Sequence, residues 1–188
     1  MSDLKRIMIA GEGGQGVQSV ALILSEAAYA NGKEVLYIPN FGVEQRGGVS
    51  VAFMQISDEE IGSPKFDSAD IIIALSDRAV ERVRMYVNEK TTYVYDDNLS
   101  EKAKAQLPEA ADVTRLVSIP AHHIANHELH VRVFNVIIMG AVLGLTKIVD
   151  IEDAKKALDH KFKPKYEQDP SLKEMNDKAL TKGVELVS

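Results

Sequence analysis

The residues near the start of the chain that are best suited to chemistry are four glycines. They stand in the order Gly11-Glu12-Gly13-Gly14-Gln15-Gly16, which matches G-x-G-x-x-G. Glycines permit a tight turn and let a phosphate approach the bare backbone, while a following helix offers free N–H groups and the positive end of its dipole. The pattern therefore predicts an anion pocket or a subunit contact. A tight strand-to-helix turn without a ligand is the alternative, which the pattern alone leaves open.

A second loop carries a guanidinium beside two more glycines, Arg46-Gly47-Gly48. Arginine can donate two parallel hydrogen bonds to a phosphate or to a partner's carboxylate. An internal salt bridge with Glu44 or a neighbouring acid is the other interpretation. The candidate binding residues are therefore Gly11, Gly13, Gly14, Gln15, Gly16, Arg46, Gly47 and Gly48. We name no catalytic residue in this chain.

The glycine pattern does not extend to a dinucleotide or nucleoside-triphosphate site. A dinucleotide site expects an acidic residue about 20 residues on, at the end of the second strand. That strand ends Tyr37-Ile38-Pro39-Asn40, and Glu34 lies at its start. The P-loop pattern also fails, because no Gly-Lys-Ser/Thr follows. An NAD-dependent dehydrogenase is therefore disfavoured.

Four histidines, His122, His123, His127 and His130, fall within nine residues. Spacings of three and four residues can place such side chains on one helix face, where zinc binds. The order does not contain H-E-x-x-H, and the segment is preceded by a proline, Pro120. We therefore expect exposed or helix-start histidines and no metal site.

Two further pairs suggest local structure more than chemistry. Asp96-Asp97 are neighbours after a strand, so their side chains diverge, and Asn98 and Ser100 beyond them are typical of a turn and a helix cap. The pair Tyr93 and Tyr95 indicates sheet packing.

Composition limits the function classes. Lys+Arg 22 against Asp+Glu 28 gives a net charge of −6, which argues against nucleic-acid binding. The absence of cysteine excludes a thiol nucleophile and a cluster held by this chain's own thiolates. The N-terminal residues lack the apolar region of a signal peptide, and the longest apolar stretch, Val136 to Leu145, is too short to span a bilayer. We expect a cytoplasmic protein without a membrane segment.

The elements that must position these residues alternate between strands and helices. This alternation predicts an α/β fold, a three-layer sandwich with a mostly parallel, Rossmann-like sheet and C-terminal helices, all in one domain of residues 1–188. Asp77 is the expected cap of the second helix. Predicted strands are Leu4 to Ala10, Glu34 to Ile38, Val49 to Ile56, Ile71 to Leu75, Thr91 to Tyr95 and Val113 to Ile119. Predicted helices are Gln15 to Asn31, Arg78 to Val87, Ser100 to Leu107, His130 to Leu145, Ile151 to Phe162 and Ser171 to Val187, the last two separated by Pro164 and Pro170.

Together these motifs resemble one protein family along the whole chain. Gly11-x-Gly13-Gly14-Gln15-Gly16-Val17 is similar to the opening motif of the gamma subunit or gamma domain of 2-oxoacid:ferredoxin oxidoreductases, also called 2-oxoacid synthases. The loop 40–48 resembles that family's aromatic-Gly-x-Glu-x-Arg-Gly-Gly signature. Two later patterns, Asn135 to Gly140 and Asn176-x-x-Ala179-Leu180-x-x-Gly183, resemble its apolar helix and its closing helix.

The resemblance implies a function in a larger enzyme. That enzyme oxidatively decarboxylates a 2-oxoacid, transfers the acyl group to coenzyme A and passes two electrons to ferredoxin. It implies partners: alpha and beta subunits, a ferredoxin-like delta subunit in some assemblies, and ferredoxin itself. Thiamine diphosphate, Mg and iron–sulfur clusters are implied in those partners, and none is expected on this chain alone. By overall resemblance the substrate is 2-oxoglutarate or a branched-chain or aryl 2-oxoacid, as in 2-oxoglutarate synthase and the pyruvate/ketoisovalerate oxidoreductase domain.

Two alternatives stay open at the level of sequence. A free-standing nucleotide-binding regulatory module could use the same glycine loop, and a self-dimer of the isolated chain is a second form of assembly.

Overall fold

The computed structural model describes residues 4–41 and 48–188. Its centre is a six-stranded sheet in the order β2-β3-β1-β4-β5-β6. Strands β1, β4, β5 and β6 pair in parallel, whereas β3 is antiparallel to both β1 and β2. The strands are β1 (Lys5–Glu12), β2 (Glu34–Phe41), β3 (Val49–Ser57), β4 (Ile71–Ala74), β5 (Thr92–Asp96) and β6 (Arg115–Ile119).

Helices cover both faces of this sheet. The α-helices are α1 (Val17–Ala30), α2 (Asp77–Val83), α3 (Glu101–Lys104), α4 (Ala121–His123), α5 (Phe134–Thr146), α6 (Ile151–Gln168) and α7 (Ser171–Glu185). A 3-10 turn, Arg84–Tyr86, extends α2. A π-helical segment, Ile124–Glu128, extends α4, and a second 3-10 turn, Val131–Val133, precedes α5.

Alternation along the strands divides the core between the two faces. On β1, Ile7 and Ile9 face a large core beneath α1, α5, α6 and α7. Met8 and Ala10 face a smaller core beneath α2 and α3. Residues Ile7 to Ala10 of β1 and the whole of β4 are apolar and buried, because both faces of these strands are covered. The prediction of an α/β fold with helices on both sides of a mostly parallel sheet is confirmed.

The antiparallel strand β3 is the main departure from the predicted topology. The first β-α-β unit does place β2 in the same direction as β1, but β3 lies between them and pairs with both along its whole length. Pairing with β1 on one side and with β2 on the other satisfies the backbone groups along both edges of β3. The local pattern around β3 does not reveal this position, since an antiparallel and a parallel strand have the same alternation.

Two prolines sit inside elements that they were expected to end. Pro39 lies within β2, where its missing N–H is tolerated because β2 is an edge strand bonded on one side only. Pro164 lies inside α6, which was predicted to end at Phe162. Phe162 and Tyr166 on either side of Pro164 pack against the large core, and Tyr166 accepts a hydrogen bond from Asn176 at 2.6 Å. This packing offsets the lost backbone hydrogen bond.

The prediction of Asp77 as the N-cap of α2 was also wrong, by one residue. Ser76 is the N-cap, and its hydroxyl accepts a hydrogen bond from the N–H of Ala79 at 3.3 Å. Asp77 is instead the first residue of the helix, and its carboxylate accepts from the N–H of Ser100 at 2.9 Å. This contact links α2 to the cap of α3 and holds the pKa of Asp77 below its ordinary value.

Helices α5 and α7 cross with their backbones in contact. A Cβ added at Gly140 would collide with the carbonyl oxygen of Leu180 and lie 2.9 Å from the Cα of Gly183. A Cβ added at Gly183 would collide with the carbonyl oxygen of Ile137. The two glycines therefore remove the side chains that would hold the helices apart, which explains why both C-terminal motifs end in glycine.

None of the helices that the structure describes is long and apolar enough to cross a membrane.

We expect Gly183→Ala to destabilise the protein by about 1–3 kcal/mol, because the new methyl group overpacks the α5–α7 contact. In an isolated helix the same change would stabilise by up to ~1 kcal/mol, so the sign itself is informative. Urea unfolding would measure the difference. Gly62→Ala is the matched control, since a Cβ there meets open space, and a loss of stability at Gly183 no larger than at Gly62 would contradict the proposed contact.

Candidate functional site

The glycine-rich loop joins the end of β1 to the start of α1 at the carboxyl edge of the sheet. Gly14 has φ +97° and Gly16 has φ +75°, conformations that L side chains rarely adopt. The turn is closed by a hydrogen bond from the N–H of Gln15 to the carbonyl oxygen of Glu12 at 3.2 Å. The glycines at these two positions are therefore required by the backbone itself.

The N-terminus of α1 is left open by this turn. Gly16 is the N-cap, so the cap residue offers no side-chain acceptor to the first-turn N–H groups, and the first turn holds no acidic residue. Gly13 and Gly14 are exposed, and no atom of the residues that the structure describes lies within 4 Å of a Cβ built on Gly14. Free N–H donors, an uncompensated helix dipole and open space together suit an anion.

Gln15 braces the loop through its side chain. Its Oε1 accepts from the N–H of Glu12 at 2.7 Å, and its Nε2 donates to the carbonyl oxygen of Leu75 at the end of β4, at 2.8 Å. A Cβ at Gly11 would lie 2.6 Å from Gln15 Oε1. Gly11 thus makes room for the brace, and the side-chain amide of Gln15 is engaged within the protein.

A second glutamine, Gln18, braces the first turn of α1, and the sequence analysis missed it. Its Nε2 donates to Ser50 Oγ at 2.7 Å and to the carbonyl oxygen of Val51 at 3.0 Å. The hydroxyl of Tyr37 donates to Gln18 Oε1 at 2.6 Å, and burial raises the pKa of that hydroxyl. The three-residue spacing of Gln15 and Gln18 was the available signal, but their partners on β2, β3 and β4 are distant in sequence.

The second predicted loop begins and ends at the same edge. Glu12 pairs with Val49, and Ser50 pairs with both Gly11 and Phe41. Gly48, which is partly buried, therefore precedes β3 beside the end of β1. Arg46, Gly47 and Glu44 lie outside the described residues.

The N-terminal end of α5 meets the glycine loop. A Cβ at Gly16 would lie 2.7 Å from the Cβ of Asn135, so this glycine also admits α5. Next to this contact is a cavity of about 530 Å³ with Ser19, Arg132 and Lys165 in its lining. Asn135 and Asn176, the polar residues of the two C-terminal motifs, line it as well. Three of the four sequence motifs thus meet in one region, through Gly16, Asn135 and Asn176.

Asp96 is fully buried at the carboxyl end of β5, whereas Asp97 is exposed, so the two carboxylates diverge as predicted. Asp96 Oδ1 accepts a hydrogen bond from the N–H of Asn98 at 2.9 Å, and Asp96 Oδ2 accepts one from the N–H of His122 at 3.1 Å. The carboxylate therefore ties the ends of β5 and β6 together. Burial raises the pKa of the Asp96 carboxyl, opposed by these two N–H donors and by the nearby imidazole of His122.

The imidazole of His122 is held by this carboxylate and by an aromatic ring. Nδ1 lies 3.6 Å from Asp96 Oδ2 and has no hydrogen-bond partner among the residues that the structure describes. The ring packs against that of Phe134 in a tilted arrangement, with centroids 4.7 Å apart and an interplanar angle of 55°. Phe134 precedes Asn135, so His122 and the glycine loop contact adjacent residues of α5. The sequence analysis missed this pair, because Asp96 and His122 are joined only by the pairing of β5 with β6.

The other three histidines of the segment 122–130 are exposed, as predicted. His123, His127 and His130 are exposed, and the rings of His123 and His127 lie 4.7 Å apart. His130 caps the turn before α5, where its Nδ1 accepts from the N–H of Arg132 at 3.1 Å. Across residues 4–41 and 48–188, no group of three or more His, Cys, Asp or Glu side chains is arranged to hold a metal ion.

The fold and this site define a class: a mixed α/β domain whose first strand leads through a glycine turn into an uncapped helix. The chain belongs to the pyruvate ferredoxin/flavodoxin oxidoreductase family, whose sequence model matches residues 6–186. The predicted resemblance to the gamma subunits or domains of 2-oxoacid:ferredoxin oxidoreductases is thereby confirmed at the level of the family.

Two curated relatives give the range of similarity. The 2-oxoglutarate synthase subunit KorC of Methanocaldococcus jannaschii is 36% identical over 157 residues, covering 82% of this chain and 81% of the relative. The ketoisovalerate oxidoreductase subunit VorA of Methanothermobacter thermautotrophicus is 32% identical over 182 residues, covering 96% of this chain and 36% of the relative. The chain thus spans about a third of VorA and most of KorC.

Solved structures share the fold. The gamma subunit of the keto/oxoacid ferredoxin oxidoreductase from Geobacter sulfurreducens has a TM-score of 0.79 at 25% identity, with 98% of this chain and 96% of that chain covered. The 2-oxoglutarate:ferredoxin oxidoreductase from Magnetococcus marinus, with 2-oxoglutarate, coenzyme A and succinyl-CoA bound, has a TM-score of 0.84 at 27% identity. The match covers 98% of this chain and 31% of that chain. The alternative of a free-standing nucleotide-binding module finds no support in these relatives.

Asp96 generates a pH-dependent prediction. The pKa of its carboxyl in the folded protein is raised above the ordinary value of about 3.9. The protonated carboxyl therefore contributes its full share of stability below pH ~3.9, and this contribution is lost as the pH rises through the raised pKa. Asp96→Asn removes this titration and keeps one acceptor oxygen. The unfolding free energy of the wild type relative to this variant should therefore fall with rising pH above pH ~4, by at most ~1.4 kcal/mol per pH unit.

Urea unfolding at a series of pH values would measure this difference. Asp97→Asn is the control, because it removes a carboxyl from the exposed position of the same turn. A difference that stays constant from pH 4 to neutral, or rises, would contradict a raised pKa for Asp96.

Proposed function

We propose that this chain is the gamma subunit of a coenzyme-A-dependent 2-oxoacid:ferredoxin oxidoreductase. The enzyme would convert a 2-oxoacid, coenzyme A and oxidised ferredoxin into acyl-CoA, CO2 and reduced ferredoxin. Family membership over residues 6–186 supports this proposal most directly. A gamma subunit from Geobacter sulfurreducens whose length matches this chain almost fully supports it further.

The chain would act as one gamma-type domain, residues 1–188, in a cytoplasmic assembly with alpha and beta subunits and, in some forms, a delta subunit. We favour 2-oxoglutarate or a branched-chain 2-oxoacid as substrate, since the relatives are named for 2-oxoglutarate and ketoisovalerate. KorC supports 2-oxoglutarate more strongly, because its length matches this chain far better than that of VorA does.

The redox and decarboxylation chemistry would belong to the partner subunits. The sequence contains no cysteine, so it offers no thiolates for an iron–sulfur cluster. The residues that the structure describes hold no cluster of acidic and histidine ligands for Mg. This chain therefore does not fit an iron–sulfur cluster, and the residues that the structure describes do not fit Mg.

Coenzyme A fits the glycine loop better. Its phosphates are anions, and the uncapped first turn of α1 presents N–H donors beside the open space at Gly14. When bound, coenzyme A supplies the thiol that accepts the acyl group. In this proposal the backbone of Gly13, Gly14 and Gly16 binds phosphate, while Gln15 and Gln18 keep the turn in place.

Arg46, with Gly47 and Gly48, would complete the phosphate site. The described ends of their loop, Phe41 and Gly48, lie at the same sheet edge as the glycine turn. A guanidinium there would add a bidentate contact that a helix N-terminus cannot provide.

The assembly is tested by purifying the tagged chain from its native cell extract. The eluate should reduce a dye only when both a 2-oxoacid and coenzyme A are present, and it should contain brown, cluster-bearing partner chains. The preferred oxoacid would identify the substrate. A colourless single chain that is inactive with every 2-oxoacid would overturn the subunit proposal.

The phosphate site is tested by a matched pair of variants, Gly14→Asp and Gly14→Asn, in the assembled enzyme. Both introduce the same strain at a positive φ, which Asn and Asp tolerate best, but only Asp adds a negative charge. The Asp variant should bind coenzyme A about fivefold to thirtyfold more weakly than the Asn variant, as expected for a repulsion of about 1–2 kcal/mol near a surface. Equal affinities, measured by calorimetry at low salt, would show that the loop is a turn without a phosphate.

A further inference from the structure

Arginine is concentrated on the outer side of α2. Three of the seven arginines in the sequence, Arg78, Arg82 and Arg84, fall within seven residues, and all three are exposed. Met85, the next residue, is 75% exposed. Arginine and methionine are enriched at protein–protein interfaces, where lysine and glutamate are depleted. The composition of this segment is therefore that of an interface rather than of a solvated helix face.

These side chains line a shallow groove of about 720 Å³ along α2. Its lining carries three positive charges and one negative charge, so its net charge is +2, although the whole chain has a net charge of −6. We call this surface the arginine groove, and its residues are Val49, Arg78, Glu81, Arg82, Arg84 and Met85. The groove therefore attracts negative charge on a molecule that otherwise repels it.

Two of the arginines are available to bind an external group. Among the residues that the structure describes, Arg82 and Arg84 form no ion pair and no side-chain hydrogen bond. A guanidinium can donate two parallel hydrogen bonds to one carboxylate, a geometry that an ammonium group cannot match. An external carboxylate can therefore pair with either arginine without displacing an internal contact.

An apolar strip lies on the edge strand β2. Leu36 and Ile38, which form this β2 strip, are half-buried. Their neighbours Val35 and Tyr37 pack against the large core, so Leu36 and Ile38 point to the opposite face of the sheet, on the side of α2. Within the part of the chain that the structure describes, neither of them belongs to the small core on that side or packs against it. The β2 strip is therefore an apolar surface that the small core leaves uncovered.

Pairing of β2 with β3 links this strip to the groove. Ile38 is the partner of Phe53 on β3, and the ring centroid of Phe53 lies 5.5 Å from that of Tyr86 in an edge-to-face arrangement. Tyr86 follows Met85 at the end of α2, and β3 begins at Val49 of the arginine groove. The β2 strip and the arginine groove therefore lie side by side along β3, one apolar and the other basic.

The chemistry of this surface selects its occupant. A second copy of the chain docked face to face by a two-fold axis would place one arginine groove against the other, with +2 facing +2. A nucleic acid would pair with the arginines, but it would set phosphates against the β2 strip and would meet the −6 charge of the chain. A protein surface that combines carboxylates with an apolar side chain complements both halves.

We propose that the arginine groove and the β2 strip are the docking surface for an acidic surface of another subunit in the assembly. Carboxylates of that subunit pair with Arg82 and Arg84, and an apolar side chain packs against Met85. The inference rests on the proposed function for the existence of a partner subunit, but it does not rest on the proposed coenzyme A site.

The test uses the tagged full chain expressed in its native cells, with a matched pair of double variants. Arg82→Glu/Arg84→Glu reverses two charges of the groove. Lys161→Glu/Lys163→Glu, the control, makes the same change of net charge at two exposed positions of α6, in the other helical layer. At about 0.15 M salt, the groove variant should retain about tenfold less of a partner subunit than the wild type, whereas the control should retain as much as the wild type.

A conservative variant, Arg82→Lys/Arg84→Lys, keeps both positive charges and provides primary amines. It should retain most of the partner subunit, and a zero-length carbodiimide reagent should link position 82 or 84 to an Asp or Glu of that subunit. Mass spectrometry of the linked peptides would identify the acidic subunit. Absence of such links from both positions would overturn the proposal.

The outcomes separate this inference from the proposed function. If the wild type binds partner subunits and the groove variant retains them as well as the control does, the docking surface is wrong and the subunit function stands. A wild-type chain that binds no other subunit would overturn both.

Other occupants of the surface give distinct results. Loss of the partner after nuclease treatment would show a nucleic-acid bridge, and a second copy of this chain as the retained partner would show self-association. Weaker coenzyme A binding by a groove variant that keeps its partners would show a phosphate contact. Each of these results would overturn the docking surface.

Discussion

The close contact of α5 with α7 is the constraint on which the described site depends. Gly140 and Gly183 allow the two backbones to touch, and this sets how deeply α5 sits against the sheet. The N-terminal end of α5 then places Asn135 against Gly16 and Phe134 against His122. A side chain at either glycine would move α5. Because α5 contacts both the glycine loop and His122, such a movement would disturb both parts of the site.

The carboxyl edge is organised by polar braces that link segments distant in sequence. Gln15 and Gln18 fix the first turn of α1 to β1, β3 and β4, and Asp96 fixes the ends of β5 and β6. Each brace uses donors and acceptors that the protein satisfies internally, and the Gly16 N-cap of α1 makes no side-chain hydrogen bond. A fixed frame around uncapped N–H groups would suit the proposed anion site.

Local patterns predicted most elements but not how they pair. The buried runs of β4 and β5, the helix after the glycine turn and the cap at Ser100 follow from short-range periodicity and turn chemistry. The position of β3, the continuation of α6 through Pro164 and the cap at Ser76 do not. In each case a tertiary contact decided between local alternatives of similar energy: pairing with two strands, packing of Phe162 and Tyr166, and the link from Asp77 to α3.

The sequence by itself determined the family and the glycine turn. The reason is that only glycine easily adopts these φ values and only glycine permits these close helix contacts, so glycine has to occupy those positions. Tertiary structure alone decided that Asp96 meets His122 and that Gln18 meets Ser50. Those contacts join residues 26 and 32 positions apart through strand pairing and layer packing. No short-range pattern encodes them, since each partner alone is an ordinary polar residue in its own segment.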